Sequence, residues 1–164
     1  MRKLGFAICL TVLVCASAAW TQDSAVKGEA PPSSGVRDKC PVCGMFVAKY
    51  PDWVASMTDK DGKIFFFDGV KDLCKFYFVP GKYGYKEPPA GWKDISVTDY
   101  YDVRPIDGRK AFYVIGSDVY GPMGKELIPF ERKEDAREFL HDHHGTRIIS
   151  FEEVTRDLLL SLDQ

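Results

Sequence analysis

Three features of the sequence predict an α+β fold made of two similar ββαβ halves. Two short strand-like runs are followed by an amphipathic helix; the same order returns in the second half of the chain; and one more strand-like run follows each helix. The first half is expected over about 44–101 and the second over about 110–154, followed by a C-terminal helix over about 152–162. All three lie within one domain over 40–164.

In the first half, "WVASMT" (53–58) alternates like a half-buried strand, "DKDGK" (59–63) is a turn, and "IFFF" (64–67) is a second strand. The helix after this hairpin carries apolar Val70, Leu73, Cys74 and Tyr77, the i, i+3, i+4, i+7 spacing of one helical face. Asp68 precedes it as the expected N-cap. The strand "DISVTDYY" (94–101) closes the half, after a connector rich in Gly, Pro and aromatics (79–93).

The second half reads "AFYVIGSD" as strand, "VYGPMGK" as loop, "ELIPF" as strand, "KEDAREFLHDH" as helix and "TRIISF" as strand. Laying one half on the other pairs Thr58-Asp59 with Ser117-Asp118, Phe67 with Phe130, Asp72 with Asp135 and Phe76 with Phe139. On that pairing the second hairpin carries four extra residues around "YGPMG", where Gly121-Pro122 and Gly124 are expected to keep the loop out of regular strand. Met123 is the unusual residue there, an apolar thioether on a Gly/Pro loop. It serves either as a plug folded onto the core or as a ligand held out for use.

Ahead of the domain, Arg2 and Lys3, an apolar run to Cys15 and "ASAA" give residues 1–19 the pattern of an export signal. The run is shorter than the ~18 to 20 apolar residues a spanning helix needs, so cleavage is expected and the mature protein is placed in the periplasm. A lipid anchor at Cys15 is not favoured, because Val14 stands where a lipobox has a small residue. Residues 20–39, polar and carrying Pro31-Pro32, read as a flexible linker. Loss of Arg2 and Lys3 takes the formal charge from −2 to −4, which does not suggest nucleic-acid binding.

Cys40, Cys43 and Cys74 remain beyond the leader, an odd number that excludes an all-disulfide monomer. Cys74 falls on the apolar helix face and reads as a small core residue. The Cys40-x-x-Cys43 pair admits several chemistries: a disulfide, a redox pair, half a zinc site completed by the histidines of "HDHHG", or a soft-metal site. Thiolate and thioether ligands select Cu(I), and Cys43, Met45 and Met123 supply them. His143 is the histidine named as a further candidate ligand, although Gly145 makes the cluster an ordinary helix C-terminus as well. Ser-His-Asp, P-loop and Rossmann patterns are absent, so no enzyme is indicated.

"CPVCGM" and "AFYVIGSDVYGPMGKELIPF" resemble the NosL family, exported accessory proteins of nitrous oxide reductase in denitrification, over most of the chain from Cys40 to about Val154. The resemblance implies two ββαβ halves similar to part of organomercurial lyase, Cu(I) binding, receipt of copper from a membrane donor, and its delivery to a copper enzyme such as nitrous oxide reductase. It places the family's Cys-x-Met on Cys43 and Met45, with Cys40 beside them, and its loop methionine on Met123. The alternatives are a thiol-disulfide redox protein or sensor built on Cys40 and Cys43, and a lyase-like enzyme, for which the sequence locates no general acid near the thiols.

Overall fold

The computed structural model describes Gly35, residues 37–85 and residues 91–164. The leader and most of the linker lie outside those residues. Among the described residues, no helix is long and apolar enough to cross a membrane.

β1 (Ala55–Thr58) and β2 (Ile64–Phe67) form an antiparallel hairpin with Ala55 opposite Phe67. Its turn is held by the Asp59 carboxylate, which accepts from the N–H of Asp61 at 2.9 Å and of Lys63 at 2.8 Å, an Asx turn. α1 (Val70–Phe78) then packs across both strands. β3 (Asp94–Thr98) returns to the free edge of β1, and β4 (Pro105–Asp107), which the sequence pattern did not disclose, adds outside it, giving the order β2-β1-β3-β4.

The second sheet has the order β8-β5-β9, from β5 (Phe112–Ile115), β8 (Ile128–Phe130) and β9 (Arg147–Ser150), with α2 (Lys133–Asp142) between β8 and β9 in the chain. The unbroken apolar run of β5 reflects burial on both faces. Tyr113 and Ile115 enter the large core shared with the first sheet and α1, whereas Val114 joins Ile128, Phe130, Ala136 and Phe139 beneath α2.

In both sheets the first strand is central, flanked by its hairpin partner and by the strand after the helix. Ala55 faces Phe67 and Phe112 faces Phe130, so those two phenylalanines occupy matching places, as the sequence pairing has them. Asp59 and Asp118 do not match: Asp59 follows β1 directly, while Gly116 and Ser117 separate β5 from Asp118. The second hairpin is therefore longer by six residues rather than four, measured from Ala55 to Phe67 against Phe112 to Phe130. The insertion is also regular. β6 (Tyr120–Gly121) and β7 (Gly124–Lys125) form a miniature hairpin with Pro122 and Met123 at its tip, because Gly124 takes the left-handed φ of +86° that closes so tight a turn.

Three further boundaries differ from expectation. The C-terminal helix α3 is Arg156–Ser161, not 152–162. A capping box between Ser150 and Glu153 closes a 3-10 turn at Phe151–Glu153, Val154 is extended, and the Thr155 side chain accepts from Leu158 N–H to start α3. Lys39, placed in the linker, pairs with Phe46 and belongs to the fold. Asp68 does not cap α1; Gly69 stands at that position. The helix start is satisfied instead by Glu126 from the second half, whose carboxylate accepts from Lys71 N–H at 2.5 Å. A Cβ at Gly69 would collide with that carboxylate.

Candidate metal centre

The loop carrying the cysteine pair is closed by two backbone hydrogen bonds, from Cys40 N–H to Met45 O and from Gly44 N–H to Cys40 O, both 2.9 Å. Gly44 takes a φ of +80°, which glycine adopts without steric penalty. Beyond it come a single bridge at Phe46 and 3-10 turns at Val47–Lys49 and Pro51–Trp53. This knuckle buries Cys40 and leaves Cys43 half-buried. Cys40, Cys43 and Cys74 are all free thiols, and Cys74 is buried in the large core.

Both site thiols meet carboxylates from the start of α1. Cys43 Sγ donates to the two oxygens of Asp68 at 3.3 Å each, and Cys40 Sγ donates to Asp72 Oδ2 at 3.4 Å. Asp68 and Asp72 are fully buried, and one ligand atom from each of the four residues lies within 4.8 Å of every other. Among the described residues Asp72 Oδ1 has no hydrogen-bond partner, and Lys75 Nζ lies 3.8 Å from it.

Burial dominates the electrostatics. It pushes the Cys40 thiol far up, with Asp72 and Asp68 adding to the shift against opposing backbone N–H groups of Cys43 and Val42. It also pushes Cys43 up to about 11 and raises Asp72. The thiols are therefore protonated at neutral pH and give up their protons only to something that replaces the charge.

Cys43, Asp72 and Met123 line one cavity of about 410 Å³, whose apolar wall includes Phe78 and Leu159. Met123 reaches it from the β6–β7 tip and is 42% exposed. Its carbonyl accepts from Lys71 Nζ at 2.8 Å, and the same buried ammonium reaches Leu162 O at 3.5 Å and Asp163 Oδ1 at 3.2 Å. One lysine thus ties the hairpin tip to α1 and to the C-terminal turn.

Of the residues expected from sequence, Cys40 and Cys43 share one cluster and Met123 shares a cavity with Cys43. Met45 sits in the knuckle, its Sδ accepting from Tyr50 Oη–H at 3.5 Å, and does not line that cavity. His143 lies elsewhere, its ring against Phe139 with centroids 4.3 Å apart and its Nδ1 3.1 Å from Asp118. The position of Gly145 follows from Val114 and Leu140, which leave no room for a Cβ there. The sequence reading missed Asp68, Asp72, Lys71 and Glu126 as site components. The available signal was two aspartates around a helix start, Asp72 in the first turn and Asp68 two residues ahead of it.

A cluster of two thiols and two carboxylates, beside a cavity that one of those thiols shares with a thioether, defines a small protein of mixed helix and sheet with a candidate metal centre. The chain belongs to the NosL family, whose model matches residues 32–159. It is 30% identical over 130 residues to the copper-binding lipoprotein NosL of Stutzerimonas stutzeri, covering 74% of this chain and 64% of that one. The chain thus spans a little under two thirds of that relative's length. The fold is similar to the crystal structure of the copper chaperone NosL from Shewanella denitrificans, with a TM-score of 0.65 and 26% identity over 77% of this chain and 96% of that one.

Proposed function

We propose that the protein is a periplasmic metallochaperone that binds Cu(I), accepts it from a membrane copper donor, and delivers it for assembly of a copper enzyme such as nitrous oxide reductase. The observation that carries this is the meeting of Cys43 and Met123 on one cavity from opposite halves of the chain. The names of the two relatives, a copper-binding lipoprotein and a copper chaperone, support it.

The chemistry follows from the donors. A thiolate supplies charge, a thioether supplies a neutral soft ligand, and Cu(I) accepts low coordination numbers. Cys40 is the second thiolate at hand. An incoming ligand from an acceptor protein enters through the cavity and displaces the thioether first, since no charge separates, so copper moves without a redox step. Residues 1–19 export the chain, the linker ahead of Lys39 tethers it, and the two sheets are descended from one duplicated ββαβ unit.

The test is competition for Cu(I) against a chelator. Cys43→Ser and Met123→Ala are each expected to lower affinity more than tenfold, about 1.4 kcal/mol. Unchanged affinity in both removes the assignment. The redox alternative loses ground because reactive cysteines need depressed pKa values near cations or helix N-termini, whereas these thiols are raised and face carboxylates. The lyase-like reading gains one observation, buried carboxyl groups beside the thiols. Conversion of phenylmercury to benzene decides it, and the copper reading expects none.

A further inference from the structure

We propose that a second cavity, between the stem of the β6–β7 hairpin, the start of β9 and α3, binds an organic phosphate through Lys125 and Arg147. The inference does not depend on copper: this cavity shares no lining residue with the one that holds Cys43 and Met123.

Sheet register sets its walls. β6 and β7 place Tyr120 opposite Lys125, and β5 and β9 place Ile115 opposite Arg147. Thr146 N–H donates to Ile115 O at 2.8 Å, and the Thr146 side chain lies against Gly116, where a Cβ would collide with its Oγ1. Gly116 also takes a φ of +75°, so the turn and the close approach both call for glycine. α3 supplies the remaining wall with Leu158, Ser161 and Leu162. The cavity measures about 580 Å³, within the roughly 300–1,000 Å³ of small-molecule sites.

Charge then selects the ligand. The chain carries 24 acidic and 22 basic side chains, yet two cations and no acid line this cavity. Among the described residues neither Lys125 nor Arg147 forms an ion pair. Glu153, an acid that feels Arg147, is engaged by Ser150, from N–H at 2.8 Å and from Oγ at 3.0 Å. The hydroxyls divide. Ser117 and Ser161 donate to the carbonyls of Val119 and Leu158, at 3.5 and 2.7 Å. Those of Tyr120 and Thr146 have no partner among the described residues, and both side chains line the cavity.

A guanidinium grips two oxygens of one group through its fork, and an ammonium adds a point charge. With two hydroxyl donors beside them, the set matches a group of several acceptor oxygens and a charge of about −2, as a phosphate monoester has at neutral pH. A carboxylate offers less of both. The volume exceeds what an inorganic anion fills, and Ile115, Leu158 and Leu162 provide apolar surface for an organic body. An anion held by Lys125 and Arg147 links the hairpin stem to β9 and steadies the element whose tip carries Met123.

The test is titration of the metal-free, reduced full chain with phenyl phosphate, followed by amide NMR and calorimetry. Wild type is expected to bind saturably, with shifts at the Gly116 and Thr146 amides, a readout that needs no variant to fold. Lys125→Ala and Arg147→Ala, both at exposed positions, should each weaken binding at least fivefold. Lys110→Ala, which removes the same charge elsewhere, should leave it unchanged, and benzoate should bind at least tenfold more weakly. Vesicles of phosphatidic acid in phosphatidylcholine separate the two sources of such a group. Cosedimentation that phenyl phosphate reverses assigns the site to a lipid headgroup, and phenyl phosphate binding without cosedimentation assigns it to a soluble ester. Absent shifts at Gly116 and Thr146, affinity unchanged in both cation variants, or benzoate bound as tightly as phenyl phosphate would overturn the proposal.

Discussion

Lys71→Met tests the tie between the halves. The replacement keeps the length of the side chain and deletes an ammonium that is 1% exposed. Three interactions are lost, and they are unequal. The bond to Met123 O, at 2.8 Å, is charge-assisted and contributes roughly 1.5 to 3 kcal/mol. The contact with Leu162 O at 3.5 Å is at the limit of a hydrogen bond and adds little. Asp163 is 39% exposed and keeps Lys75 at 2.8 Å, so its share is below about 1 kcal/mol. Against these, an apolar side chain no longer bears the desolvation of a buried charge. The net expectation is a loss of about 2 kcal/mol, read as a lower urea midpoint at unchanged slope. Cu(I) affinity should fall as well, by less than in Met123→Ala, because the thioether remains but its hairpin is no longer held. A midpoint equal to or above that of wild type would refute the reasoning.

Three further outcomes are expected. Burial raises Glu126 to about 8, with the N–H groups of Leu127 and Lys71 opposing the shift. The folded state therefore keeps a proton that the unfolded chain has lost, and stability falls as pH rises from about 4.5 to about 8, by at most about 5 kcal/mol; Glu126→Gln should flatten that slope in urea unfolding. Because Cu(I) must displace thiol protons, its affinity should rise with pH by about tenfold per unit for each thiolate ligand, so a slope of one identifies Cys43 alone and a slope of two brings in Cys40. His143→Gln should leave Cu(I) affinity unchanged in the same competition assay, since that ring is engaged by Phe139 and Asp118.

What was legible in the sequence was local. Periodicity places α1 and α2, alternation places the β1–β2 hairpin, and the equivalence of Phe67 and Phe130 follows from residue spacing. The Gly/Pro setting of Met123 marked the insertion, although its length and regularity depended on strand register, which spacing alone does not reveal. The site was half legible. Cysteine and methionine advertise metal chemistry by type, whereas Asp68 and Asp72 look like ordinary helix-start residues until tertiary packing buries them against thiols from another segment. Lys71 and Glu126 escaped for the same reason: charged residues are expected outside, and each is inside because its partner comes from more than fifty residues away. Asp68 failed as a cap because Glu126 supplies the acceptor that the local sequence was expected to provide.

The most direct measurement of the central claim is copper-edge X-ray absorption on the Cu(I)-loaded chain, wild type beside Met123→Ala. The account predicts an all-sulfur shell that loses one neighbour in the variant. A shell containing nitrogen or oxygen, or one that Met123→Ala leaves unchanged, would contradict it.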